Sequence, residues 1–250
     1  MRNQYILGMR VDVTTYQSVT DLIIRWAIAG ESKYVCAANV HMTMEAHDSP
    51  EFREVVNGAD LVVPDGMPLV WALRMLGCAD AQRVRGPSLL DHVCKAAEER
   101  SIPVGFYGST PETLRALVVN LQARYPELNI AYYYSPPFRP LTPDEELEVV
   151  KRIRSSGARI LFVGLGCPKQ ERWMARQLGQ IPAVMLGVGA AFDFHAGMQP
   201  EAPQWMQSVG LEWLFRLAKE PRRLWRRYLK HNPRFLAYFA SQYVRSRVWH

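Results

Sequence analysis

Along the chain, short apolar runs alternate with stretches in which apolar positions recur every three to four residues. The runs at 5–9, 34–38, 61–63, 104–107, 130–134, 159–163 and 183–186 predict strands. The periodic stretches at 15–29, 68–76, 88–99, 111–124, 143–155 and 169–178 predict amphipathic helices. Two helix starts are well marked. Ser109-Thr110-Pro111-Glu112 and Thr142-Pro143-Asp144-Glu145 each set a hydroxyl before a proline and an acid, giving acceptors to the first free N–H groups. This alternation predicts an α/β fold: a Rossmann-like, mostly parallel sheet with helices on both faces. No internal repeat or low-complexity segment interrupts it.

In such a topology the chemistry belongs beyond the carboxyl ends of the strands. The residues expected there are Asn39, Pro64-Asp65-Gly66, Gly108-Ser109, Ser135-Pro136-Pro137, Gly164-Leu165-Gly166 and Gly187-Val188-Gly189. Six exits with small or polar residues are expected to meet on one rim and hold a phosphorylated ligand. Glycines admit backbone N–H groups to an anion, and helix N-termini favour negative charge.

The chain has 250 residues, 48% of them apolar and 22% charged, which is ample for a sizeable core and unlike a disordered chain. Its formal charge of +6 is unevenly spread. Of 30 basic and 24 acidic residues, ten and two respectively lie in 211–250. The tail therefore carries +8 and residues 1–210 carry −2. The start of the chain shows no leader pattern. The longest apolar stretch, 181–192, contains Pro182, Gly187 and Gly189 and falls short of the ~20 residues of a membrane span. Cys36, Cys78, Cys94 and Cys167 form no CxxC pair, so reduced thiols in a cytoplasmic setting are expected.

Asp65, after an apolar run and before Gly66, is a candidate base able to take a proton from a substrate hydroxyl. Pro-Asp-Gly is equally a favoured turn, and on residue statistics alone the turn prevails. Gly164-Leu165-Gly166 is half a dinucleotide fingerprint, but Lys169 occupies the place of the third glycine; Gly187-Val188-Gly189 fails likewise at Phe192. These failures weaken a nicotinamide or flavin oxidoreductase reading, and no cofactor is expected. Gly166-Cys167-Pro168-Lys169-Gln170-Glu171 puts a glycine turn before polar side chains on a first helical turn, where Glu171 is also an ordinary capping acid. The six histidines show no HxH or HExxH motif and no shared face with carboxylates, so no metal site is expected. Asp-x-Asp is absent as well. A nucleotide diphosphate would then rely on arginines and backbone N–H groups.

The tail reads as a helix around 211–218 broken at Glu220-Pro221, then a second over 222–230. Leu224, Tyr228 and Leu229 lie on one side of it, with Arg222, Arg223, Arg226, Arg227 and Lys230 on the other. Asn232-Pro233 is expected to end it, before an aromatic-rich stretch containing Phe235, Leu236, Tyr238, Phe239, Tyr243 and Trp249. Aromatics on a basic amphipathic appendage favour an anionic membrane surface, each cation there contributing ~1 kcal/mol. A solvated helix face and a nucleic-acid patch are the competing readings, and a nucleic-acid-binding α/β protein is the alternative function.

Taken together, Ala38-Asn39, Val63-Pro64-Asp65-Gly66-Met67-Pro68, Arg83-Val84-Arg85-Gly86-Pro87, the 162–171 and 187–193 segments, Gly210-Leu211-Glu212-Trp213-Leu214-Phe215-Arg216 and Glu220-Pro221-Arg222-Arg223 resemble the WecG/TagA/CpsF glycosyltransferase family of bacterial cell-surface polymer synthesis. The match runs in order over nearly the whole chain. It implies an inverting, metal-independent transferase that moves a sugar from a UDP-sugar to a polyprenyl-diphosphate-linked saccharide, peripheral on the inner face of the plasma membrane. N-acetylmannosamine, its uronic acid and glucose are all compatible sugars, and a homo-oligomer is left open. By the resemblance, Asp65 is the catalytic base, and Asn39, Arg83, Gln170, Arg216, Arg223 and Arg226 contact substrate. Gly108, Tyr134, Gly164, Gly166 and Asp193 lie in segments that hold the nucleotide. Residues 1–210 form the catalytic domain, and 211–250 form an appendage that anchors to the membrane and closes the site. Two positions depart from the family pattern: Ala37 where Thr is frequent, and Glu201 where a basic residue is frequent. Both bear on sugar or acceptor choice.

Overall fold

The computed structural model describes residues 2–248. In chain order these form β1 (Asn3–Ile6), β2 (Met9–Asp12), α1 (Tyr16–Ala29), β3 (Lys33–Ala38), α2 (Val40–Asp48), α3 (Pro50–Asn57), β4 (Leu61–Pro64), α4 (Met67–Met75) and α5 (Gly86–Glu98). Then follow β5 (Val104–Gly108), α6 (Pro111–Arg124), β6 (Ile130–Tyr134), α7 (Pro143–Ser156), β7 (Ile160–Gly164), α8 (Lys169–Gln177), β8 (Val184–Gly187) and α9 (Ala191–His195). The chain finishes with α10 (Gln204–Ser208), α11 (Glu212–Lys219) and α12 (Pro221–Val248). The alternation expected from the apolar pattern is present: a six-stranded sheet ordered β4-β3-β8-β7-β5-β6, flanked by helices.

Contacts divide the chain into two compact units. One comprises residues 16–36 and 86–200. Its strands pair in parallel, with Cys36 opposite Gly187, Val163 opposite Gly187, and Gly108 opposite Gly164. All of β5 and β8 is buried, as the unbroken apolar runs of a sheet covered on both faces require. Phe106 lies at its centre, stacked 5.3 Å from Phe162 and edge-on to Phe192 at 5.8 Å. The two marked helix starts behave as their residues dictate. Thr110 accepts from Thr113 N, and Thr142 with Glu145 forms a reciprocal capping box.

The other unit comprises residues 1–15, 37–85 and 201–250. The apolar run at 5–9 is one expectation the fold corrects: it is the bend of a hairpin. Leu7 and Gly8 take φ of 52° and 86°, the paired positive values of a tight two-residue turn joining β1 to β2. The helices α2 and α3, which the apolar pattern did not predict, are started by their caps, Asn39 for α2 and Ser49 with Pro50 for α3. A second correction concerns the tail. The break at Glu220-Pro221 is present, but α12 runs through Pro233 for 28 residues. Losing one backbone hydrogen bond there costs about 3 kcal/mol. That is offset because Leu224, His231, Phe235 and Phe239 are all buried along the inner side of α12, and α2 packs against this helix. Trp249 of the aromatic stretch lies outside the described residues.

Candidate active site

The exit of β4 is tied to the end of β3. Asp65 N and Gly66 N both donate to Ala38 O, at 2.8 and 3.1 Å. Only glycine fits at 66 without displacement, because a Cβ would lie 3.3 Å from both Cα and Cβ of Asn39. Asn39 and the Asp65 turn are therefore neighbours. The Asn39 side chain caps α2 through Oδ1, which accepts from Met42 N at 3.2 Å, and the cap makes no use of its Nδ2 amide. Asp65 itself is half-buried.

Arg83 braces this turn. Its Nε donates to Asp65 O at 2.5 Å, one terminal nitrogen donates to Gln207 O at 3.2 Å, and the other to Glu212 Oε2 at 2.7 Å. The neighbouring Arg85 is buried; it reaches Glu201 Oε2 at 3.1 Å and Glu212 Oε2 at 3.2 Å. Burial alone would weaken the positive charge of Arg85, but Glu212, Glu201 and Asp65 outweigh it and raise its pKa. Burial likewise pushes the Glu212 carboxyl up, and Arg85, Arg83 and Arg216 reverse the effect and hold it below the usual carboxylate range. The result is a compensated network of arginines and carboxylates around the backbone of Asp65. Glu201, one of the two departures from the family pattern, thereby has a place: it is a partner of Arg85.

Of the tail arginines, Arg216 lies in this network on α11. Arg223 and Arg226 are exposed on the first turns of α12, Arg223 paired with Glu220 and Arg226 lying over the Trp225 ring at 5.3 Å. No helix among the described residues is long and apolar enough to cross a membrane.

The expected nucleotide segments lie in the other unit. Gly108 has φ +125°, and a Cβ there would meet Gly164 C and O at 2.6 Å. A Cβ on Gly164 would lie 2.6 Å from the Phe192 ring. Close packing thus explains both glycines without a ligand. Gly166 differs: its φ is +79°, and a Cβ would project into open space. Its N–H donates to Gln170 Oε1 at 3.1 Å. Gln170 is buried, lies against Gly187 and Gly189, and donates from Nε2 to Glu171 Oε1 at 2.7 Å. Glu171 is fully buried, and that burial pushes its carboxyl up to about 7 in spite of hydrogen bonds from Gln170 and Cys167. Tyr134 ends β6 and stacks on Tyr107 at 6.3 Å. Asp193 sits half-buried on the first turn of α9, its backbone O accepting from Met198 N.

The structure thus brings Asn39, Asp65 and Arg83 together in one unit, and Gly108, Gly164, Gly166 and Gln170 together in the other. Arg85, Glu201 and Glu212 surround the Arg83 brace and Glu171 adjoins Gln170; none was among the expected site residues, and the Arg-x-Arg spacing of 83 and 85 was the signal for Arg85. The reading of the histidines needs correction. His41 and Glu45 stand one turn apart on α2 and do share a face, and His231 of α12 joins them.

Comparison with known proteins adds to this geometry. The family model described as glycosyl transferase WecG/TagA/CpsF family matches residues 4–248. Among curated relatives, the N-acetylglucosaminyldiphosphoundecaprenol N-acetyl-beta-D-mannosaminyltransferases of Staphylococcus aureus strains MW2, NCTC 8325 and MRSA252 are each 31% identical to this chain over 240 residues. That alignment spans 94% of this chain and 91% of each relative.

Proposed function

Because this chain belongs to the WecG/TagA/CpsF family of glycosyl transferases, we propose that it is an inverting enzyme moving a hexosyl group from a UDP-sugar to a saccharide carried on polyprenyl diphosphate. The names of the relatives put N-acetylmannosamine first among the sugars, and N-acetylglucosamine on a diphosphoundecaprenol carrier first among the acceptors. The observation that carries the reading is the double anchoring of Asp65. Its N–H is fixed on Ala38 O and its carbonyl on the Arg83 guanidinium, so a half-buried carboxylate at a strand exit is held on a braced backbone.

In the proposed reaction the Asp65 carboxylate takes the proton of the acceptor hydroxyl as that oxygen bonds to the anomeric carbon. The bond from that carbon to the UDP oxygen breaks, and UDP departs with the electron pair. A single displacement inverts the anomeric centre and leaves no covalent intermediate. The charge gathering on UDP calls for preorganised donors. Arg216, Arg223 and Arg226 are assigned that work, with the backbone of the Gly166 turn and the segments of Gly108, Tyr134, Gly164 and Asp193 holding the nucleotide. Asn39 offers its Nδ2 amide to substrate. Gln170 shapes the Gly166 turn from beneath.

The tail supports peripheral binding to an anionic membrane. Trp213, Leu214, Trp225, Leu229 and Leu236 are exposed beside Arg222, Arg226 and Lys230, with Leu229 and Leu236 66% and 65% exposed. Aromatic and aliphatic side chains among cations suit the headgroup boundary. The test is to incubate the protein with UDP-N-acetylmannosamine and a short-chain N-acetylglucosaminyl diphospholipid. A product of inverted anomeric configuration supports the reading. No product with any UDP-hexose would refute it.

A further inference from the structure

The α2–α12 seam carries a cluster the proposed reaction does not use. His41 and Glu45 lie one turn apart on α2, and His231 faces them from α12. Glu45 Oε1 stands 3.7 Å from His41 Nε2 and 3.6 Å from His231 Nε2, and one donor atom from each of the three residues falls within 4.8 Å of the others. These separations exceed a hydrogen bond. They approach the about 3.3 Å expected between ligands on a tetrahedral metal with bonds of ~2.0–2.1 Å. His231 is buried, and its Nε2 is the ring nitrogen turned toward Glu45.

We propose that His41, Glu45 and His231 form a binding site for a divalent transition metal, zinc in the first instance, which staples the C-terminal helix α12 to α2. Two imidazoles and a carboxylate, with a fourth position open to water, match the ligand preferences of zinc. Arg227 and Lys230 oppose a dication, so the staple binds less tightly than an isolated triad would. The consequence is local and specific. Asn39 caps the helix on which His41 and Glu45 sit, so metal binding would fix α12 on the element that begins at a proposed substrate residue.

The test uses the full-length, untagged chain stripped with chelator, in a Cys167→Ser background that removes the one half-exposed thiol. Zn²⁺ is titrated against a chromophoric chelator, and Co²⁺ is followed by its visible absorption. The expected result is one ion per chain, a Co²⁺ band of four-coordinate intensity, and slower amide exchange in residues 227–238 with metal than with chelator. His41→Ala and Glu45→Gln, at half-buried positions whose loss leaves α12 packed, should each weaken zinc binding about tenfold or more. Circular dichroism in chelator verifies their fold. Substoichiometric binding, or unchanged affinity in both variants, would overturn the proposal. None of these readouts depends on sugar transfer, so failure here leaves the transferase reading untouched, and the reverse holds.

Discussion

Arg83 holds Glu212 Oε2 at 2.7 Å with one nitrogen while its Nε donates to the carbonyl of Asp65. Through this guanidinium, the backbone position of the proposed base depends on a residue of α11. The C-terminal segment is thereby part of the scaffold of Asp65 as well as a candidate membrane contact.

Glu212 is the first place to probe that dependence. Glu212→Ala leaves Arg83 and the buried Arg85 without their shared carboxylate, and breaking one partner of a buried pair costs about 3–5 kcal/mol. Urea denaturation should show a loss in this range. Glu212→Gln, which keeps an oxygen for Arg83, should lose less. Equal losses would mean that the retained oxygen contributes nothing and the charge carries the whole effect.

The glycine turns separate packing from ligand binding. Gly164→Ala forces a methyl into the buried Phe192 ring and should destabilise by about 1–3 kcal/mol. Gly166→Ala meets open space and bears only the left-handed backbone penalty of about 1–2 kcal/mol. If the Gly166 turn holds the nucleotide, calorimetry will show UDP affinity falling further in Gly166→Ala than its modest loss of melting temperature suggests. Unchanged affinity would remove that turn from the nucleotide site.

Much of this was legible from the chain. Strand and helix alternation followed from apolar runs in a doubly covered sheet, and the Thr110 and Thr142 caps marked their helices to the residue. What escaped was tertiary. Leu7-Gly8 is an apolar pair that turns only because β2 pairs back on β1. Pro233 reads as a stop, yet the buried anchors on either side of it hold the helix through. In the site, Asp65 and Asn39 were visible because strand exits concentrate polar turns. Glu201 and Glu212 were not, since they meet Arg85 from more than 100 residues away. The histidine cluster escaped for the same reason, its third member arriving from α12.

Glu171 gives a pH signature. Its carboxyl ionises near 4.5 when free and near 7 in the fold, so between these values the folded state holds a proton that the unfolded chain releases. Stability must fall as pH rises through this window, by on the order of 3 kcal/mol in total. Glu171→Gln removes the titration. Melting temperatures of the two proteins should lie close together at pH 5 and diverge in favour of the variant by pH 8. A constant difference across that range would mean that Glu171 ionises normally.

The outer face of α12 is separable from its inner face. Trp225→Ser with Leu229→Ser changes exposed side chains only and should leave the melting temperature nearly unchanged. Flotation with anionic vesicles should drop severalfold. Undiminished flotation would place the membrane contact elsewhere.

Asp65 is the centre of the account, and Asp65→Asn tests it most directly. The substitution keeps the backbone bonds to Ala38 and Arg83 and removes the proton acceptor. Single-turnover transfer from UDP-N-acetylmannosamine to the diphospholipid acceptor, measured beside calorimetric UDP binding, should fall by about 10²-fold or more while UDP affinity stays within a factor of about two. Transfer at the wild-type rate in Asp65→Asn would contradict the mechanism.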